Sequence, residues 1–110
     1  MNNITTHVLD LSAGRPASSI EVRLERLSDD GASWQLLGQT AADEDGRIRD
    51  WPGAPPAGTG RYRLTFAAAA HFANSFFSEV TVVFEVTDPA QHYHVPLLLS
   101  PFGYTTYRGS

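Results

Sequence analysis

The 110-residue chain contains no cysteine. Disulfides, thiolate metal ligands and a cysteine nucleophile are therefore excluded, and nothing points to an oxidising compartment. Positive charge is scarce as well: eight basic residues, scattered along the chain, against twelve acids give a formal net charge of −4. Nucleic acid binding needs a clustered basic footprint, so nucleic acid is not an expected partner. No apolar run approaches the roughly 20 residues of a membrane span. The opening Met1-Asn-Asn-Ile-Thr-Thr lacks the basic-then-apolar pattern of a secretory leader, so the expectation is a cytoplasmic protein without a membrane partner. Internal repeats, long linkers and organic cofactor motifs are missing too. Any chemistry has to come from His, Arg, Ser or carboxylates.

What is present is alternation. Ile4, Thr6 and Val8 alternate with Thr5, His7 and Leu9; Ile20, Val22 and Leu24 with Glu21, Arg23 and Glu25; Tyr62, Leu64 and Phe66 with Arg61, Arg63 and Thr65; and Val80, Val82, Phe84 and Val86 with Thr81, Val83 and Glu85. A period of two is the signature of half-buried strands whose charged side meets water. Trp34 to Thr40 adds a further strand. Gly and Pro punctuate Ala13 to Pro16 and Trp51 to Gly60 as turn or loop. Asp43-Glu44-Asp45-Gly46 has acids but not the alternating ligands and distal Glu of a calcium loop, so it reads as a solvated turn. Ala67 to Phe72 holds the best helix formers and predicts one helix of about two turns. His71 within it has no partner in sequence and reads as a structural or surface histidine. The whole predicts an all-β fold: a single domain over 1–110, an antiparallel two-sheet sandwich of seven or eight strands with one short helix. Folding would bury roughly two-thirds of the extended surface, a core that assembly into an oligomer would reinforce.

The C-terminal stretch reads as a hairpin: His92 to Leu99, turn chemistry at Ser100-Pro101-Phe102-Gly103, then Tyr104 to Tyr107. A four-residue loop sets Leu98 opposite Thr105, Pro96 opposite Tyr107 and His94 opposite Gly109, beside Ser110 and the terminal carboxylate. His92 and His94, two apart on one strand face, have a spacing able to chelate zinc. With no cysteine and no carboxylate on that face, a tetrahedral site lacks ligands, and no metal is expected. Arg47 and Arg49 flank Ile48 and share a side of a short strand; the bland reading of either is an exposed arginine paired with Asp43, Asp45 or Asp50.

Three blocks carry a resemblance. Thr6-His7-Val8-Leu9-Asp10 with Gly14-Arg15-Pro16-Ala17, Asp45-Gly46-Arg47, and His92-Tyr93-His94-Val95-Pro96-Leu97-Leu98-Leu99-Ser100-Pro101 running to Tyr107-Arg108-Gly109-Ser110 resemble, in the same order, the first strand, central turn and C-terminal signature of the 5-hydroxyisourate hydrolases, the transthyretin-related enzymes of urate breakdown. The similarity runs from about residue 4 to residue 110. It implies a transthyretin-like sandwich and a homotetramer, a dimer of dimers with sites between the dimers. It also implies hydrolysis of the small-molecule substrate 5-hydroxyisourate to 2-oxo-4-hydroxy-4-carboxy-5-ureidoimidazoline, without a cofactor.

By the same resemblance His7, Arg47, His94 and Ser110 are the catalytic positions, with Tyr107 and Arg108 as further substrate contacts. Which histidine is base and which acid stays open, as does whether Ser110 acts through its hydroxyl or a carboxylate. For Arg108, next to the carboxy terminus, a structural ion pair is an equal reading. The rival function is a carrier of a hydrophobic small molecule, as in transthyretin. Transthyretin has lysine at the position of His7, an acid at Arg47 and threonine at His94, and continues past Tyr-Arg-Gly-Ser. A structural or adhesion-type sandwich is a third reading; it gives the C-terminal signature no task.

Overall fold

The computed structural model describes residues 2–110. Nine strands and one helical turn form two sheets among the described residues: β1 Ile4–Asp10, β2 Arg15–Pro16, β3 Glu21–Leu27, β4 Trp34–Ala41, β5 Arg47–Ile48, β6 Gly60–Phe66, α1 Ala68–His71, β7 Val80–Val86, β8 Tyr93–Ser100 and β9 Gly103–Thr106. One sheet runs β2-β1-β8-β9 with β5 paired to β1, and the other runs β4-β3-β6-β7. This is the expected two-layer sandwich, and β2 and β5 are two-residue additions to its longer strands.

The alternating residues meet between the layers. Ile4, Val8, Tyr93, Val95, Leu97 and Leu99 from one sheet face Val22, Leu24, Tyr62, Leu64, Phe66, Val80 and Val86 from the other, all buried. Removing one such side chain, as in Leu97→Ala, costs about 3 kcal/mol through lost transfer energy and a residual cavity. Trp51, expected in a Pro- and Gly-rich loop, is buried instead, and its indole N–H donates to the Ile4 carbonyl at 2.9 Å. A buried indole needs such an acceptor. The loop is therefore pinned to the first strand.

Two features depart from the sequence expectation. β1 and β8 run parallel, in register from Ile4 beside Tyr93 to Asp10 beside Leu99. Alternation encodes a face and not a direction, and two strands this far apart in the chain are free of the hairpin geometry that forces antiparallel pairing. The helix is also one turn and not two. Ala67 offers no side-chain cap, and Phe72 is already extended, its N–H closing the turn on the Ala68 carbonyl. Four residues cannot offset the cost of helix nucleation from propensity alone.

His71, at the end of that turn, does have a partner: its Nε2 lies 2.9 Å from Asp10 Oδ2. Asp10 closes β1 and also accepts hydrogen bonds from Ser12 Oγ and the Ala13 N–H. Burial pushes the Asp10 carboxyl up, but the hydrogen bonds of Ser12, His71 and Ala13 and the charge of His71 outweigh it and hold the pKa at about 2. Sequence reading left His71 unpaired because a partner 61 positions away is invisible to local spacing.

Candidate active site

The outer face of the β1/β8 sheet collects the titratable groups. Along β1, His7 is flanked by Arg47 of β5 on one side and Pro96 of β8 on the other, and two residues earlier Thr5 lies beside His94. Residues paired across neighbouring strands share a face at a strand spacing of about 4.8 Å, so Arg47, His7 and His94 form one cluster. Beyond His94, an isolated antiparallel bridge pairs it with Gly109, and the Gly109 N–H donates to the His94 carbonyl at 2.8 Å. The hairpin register Leu98 to Thr105 is the expected one.

The arginine is placed by a built turn. Asp43 Oδ1 accepts the backbone N–H groups of Asp45 and Arg47, both at 2.9 Å. Gly46 adopts φ +76°, and a Cβ there would sit 2.4 Å from the Val8 carbonyl oxygen. Only glycine allows the turn to lie this close to β1. The reward is a backbone bond from Val8 N–H to the Gly46 carbonyl at 2.8 Å. Arg49, on the same side as Arg47, is spent on Asp43 Oδ2 at 3.3 Å. The Arg47 guanidinium makes no hydrogen bond or ion pair with a described residue, so its five donors are available to a ligand.

Each histidine of the cluster has one nitrogen committed. His7 Nε2 lies 2.9 Å from the Asp45 carbonyl oxygen. A carbonyl only accepts, so His7 carries its proton on Nε2 and leaves Nδ1 free. His94 Nδ1 lies 2.7 Å from Thr5 Oγ1, leaving Nε2 free. Burial above all, and then the positive charge of His92, Arg47 and His7, lowers the His94 pKa below its ordinary 6.5. A neutral imidazole with a free nitrogen beside an uncommitted guanidinium can take a proton from water while negative charge is stabilised next to it.

The remaining sequence-predicted residues are placed as follows. Ser110 follows the bridge partner of His94 and is exposed. Tyr107 is 54 % exposed. The Arg108 guanidinium is engaged elsewhere: Nη2 donates to Gln91 Oε1 at 3.1 Å and to the His92 carbonyl at 3.3 Å, and the group lies over the inward-facing Tyr93 ring at 4.6 Å. These partners are neutral, so the guanidinium is held by hydrogen bonds and a ring contact and not by the ion pair of the sequence reading. Tyr107 and Arg108 line a recess of about 260 Å³ at the open edge between the sheets, together with Val82, Phe84 and Val95; none of His7, Arg47 and His94 lines it. No group of three or more His, Asp or Glu is disposed to hold a metal among the described residues, and no helix there is long and apolar enough to cross a membrane.

Gly109, which the sequence sets opposite His94 without giving it a role of its own, is a site residue. A Cβ at this position would lie 2.6 Å from His94 Cδ2 and 3.2 Å from Pro96 Cγ. The C-terminal backbone therefore packs directly on the imidazole. Thr5 was passed over and His92 was weighed only as a metal ligand; a threonine in a strand carries no local signal of what it will meet 87 or 89 residues later.

Fold and site together define a transthyretin-like β-sandwich with a histidine–arginine cluster on one outer sheet face. The chain belongs to the HIUase/Transthyretin family, whose model matches residues 4–109. Among its relatives, the 5-hydroxyisourate hydrolase of Caulobacter vibrioides is 44 % identical over 118 residues, covering 100 % of both chains. The structure of Klebsiella pneumoniae 5-hydroxyisourate hydrolase superposes with a TM-score of 0.82 at 35 % identity, covering 97 % of this chain and 98 % of that one. Transthyretin from Sparus aurata superposes with a TM-score of 0.90 at 29 % identity, covering 99 % and 97 %.

Proposed function

We propose that the protein hydrolyses 5-hydroxyisourate to 2-oxo-4-hydroxy-4-carboxy-5-ureidoimidazoline in urate catabolism, and that His7, Arg47, His94 and Ser110 carry the reaction. The observation behind the assignment is the cross-strand row that sets an uncommitted arginine beside His7, with His94 two residues along. The carrier reading has no use for a base of lowered pKa and a free guanidinium on this face. Fold alone does not separate the two, because function resides in the site grafted on the fold.

In the reaction, water adds to a ring carbonyl of the substrate while its proton passes to His94 Nε2. The negative oxygen that forms is held by the planar fork of Arg47, a geometry suited to charge-assisted bonds. The C–N bond then opens, and the proton that His94 took is relayed through the free His7 Nδ1 to the leaving nitrogen, which returns both imidazoles to their starting state. The sum is one water consumed and one C–N bond cleaved. Each positioned acid or base is worth roughly a hundred- to ten-thousand-fold in rate. The hydroxyl of Ser110, one residue beyond the Gly109 bridge, orients the attacking water.

The cluster lies on an open sheet face bearing Pro96, Leu98 and Thr105, and an open face does not exclude water from a reacting ring. We therefore place the site at the junction of two dimers in a cytoplasmic homotetramer, where a second subunit closes it. Absorbance decay of freshly made 5-hydroxyisourate, with and without the purified protein, tests the activity. Decay no faster than in buffer would reject the hydrolase and favour a carrier. Light scattering of the purified protein tests the tetramer, and a monomer with full activity would reject the shared site.

A further inference from the structure

We propose that Thr5 and His92 are positioning residues that hold His94 in the tautomer with a bare Nε2, through a hydrogen-bonded chain from His94 to Thr5 to His92; the proposal rests on His94 acting as the base in the hydrolysis above. Thr5 is only 5 % exposed although it lies on the outer face, because the two imidazoles cover it. Its Oγ1 stands 2.7 Å from His94 Nδ1 and 2.9 Å from His92 Nε2, and the two rings stack with centroids 6.2 Å apart. The spacing of His92 and His94, two apart on one strand face, thus has a use other than metal binding: both rings turn a nitrogen towards the same hydroxyl.

That hydroxyl has one proton. With every member satisfied, the chain runs one of two ways. In one, His94 Nδ1–H donates to Thr5 Oγ1 and Thr5 O–H donates to His92 Nε2, which leaves His94 Nε2 bare. In the other, His92 Nε2–H donates to Thr5 and Thr5 donates to His94 Nδ1, which puts the proton of His94 on Nε2 and removes its basicity there. Only the first direction lets His94 take a proton from water without breaking a bond of the chain. Its Nδ1–H stays on Thr5 whether the ring is neutral or charged. His92, exposed just before β8, terminates the chain as an acceptor through its Nε2. An oriented imidazole of fixed tautomer is what a base needs, and the wrong tautomer in a comparable arrangement abolishes most of the catalysis.

The test combines histidine-selective ¹⁵N NMR with steady-state kinetics on the full chain. In the wild type above the titration of His94, the ring should show a protonated Nδ1 and a bare Nε2. Thr5→Val should move the proton to Nε2 in most molecules and lower kcat on the order of tenfold to a hundredfold with KM held within about twofold. Thr5→Ser, which keeps the hydroxyl, should restore both the spectrum and kcat. His92→Phe removes the acceptor and should give a smaller change in the same direction, and adding it to Thr5→Val should cost nothing further, the signature of one chain. Wild-type His94 protonated at Nε2, or additive losses in the double variant, would overturn the proposal. If Thr5→Val fails to fold, the tautomer in the wild type, Thr5→Ser and His92→Phe still decides it. If the wild type turns over no 5-hydroxyisourate, the hydrolase reading falls, while the NMR tautomer still reports on the chain by itself.

Discussion

The two sheets present outer faces of opposite character. On the β3/β6/β7 face, charges are paired across strands: Arg63 Nε with Glu25 Oε1 at 2.9 Å, Arg61 Nη2 with Glu85 Oε1 at 3.2 Å and Arg23 Nη2 with Glu79 Oε2 at 3.8 Å. On the β1/β8 face the ionisable side chains of the cluster are all of basic type, His7, Arg47, His92 and His94, and the Arg47 guanidinium makes no direct ion pair among the described residues, its charge reaching Asp43 only at longer range. Both faces obey the same period of two. The first pairs its charges directly, whereas the second leaves basic groups without a bonded counter-charge, a place that an anionic ligand or transition state can take. The difference marks where a polar small molecule belongs more reliably than concavity does, since the recess at the sheet edge is lined by other residues.

The contrast is broken most severely at His94. His94→Ala should reduce turnover of 5-hydroxyisourate by roughly a hundred- to ten-thousand-fold while leaving the thermal midpoint near that of the wild type. A variant that unfolds, or one that keeps its rate, would show this face to be structural like the other. Gly109→Ala comes next. Its methyl group meets the His94 ring, and displacement of a base by about 1 Å costs on the order of a hundredfold in kcat. Little change there would mean that the imidazole has room to move.

Acid distinguishes two carefully placed groups. Because folding lowers the His94 pKa, the unfolded chain binds more protons there just below pH 6.5, so its contribution erodes as pH falls from that value. The same shift keeps the base neutral to lower pH, and the acid limb of kcat/KM should lie below 6.5. A limb above it would contradict the assignment of His94 as base. For Asp10, lowered from 3.8 to about 2, the stabilisation is present above 3.8 and is lost as pH falls through about 2. Asp10→Asn should therefore cost about 2 kcal/mol near neutrality, with much of the difference gone at pH 2 in denaturant titrations. The smallest effect is expected on the opposite face, where both members of the Arg61–Glu85 pair are about half exposed. Arg61→Ala should change stability by less than about 1 kcal/mol and leave turnover untouched.

Much of this contrast is legible in the sequence, and the part that is not has a common cause. Alternation disclosed which side chains point outward on both sheets, and turn chemistry at Ser100 to Gly103 fixed the register that sets His94 opposite Gly109. Resemblance singled out His7, Arg47 and His94 where periodicity was silent about their meeting. What stayed hidden involves partners remote in the chain: the direction of β1 against β8, Trp51 folded onto Ile4, His71 on Asp10, and Thr5 between two imidazoles. Local patterns report the face of a strand. They do not report which strand lies beside it, and hydroxyl and imidazole contacts depend on that neighbour. The four consecutive alanines of Ala67 to Ala70 failed in the other direction, since propensity without a cap or length yields a single turn.

The parallel union of β1 with β8 has a consequence for synthesis. β1 leaves the ribosome well before β8, the strand it must zip against, so the nascent polypeptide holds β1 without that neighbour while every element between the two is made. Loop-closure entropy makes such end-to-end docking a late event, and the site assembles only then. A chain released before residue 93 would hold every strand of the other sheet and yet lack His94 and Ser110 of the site.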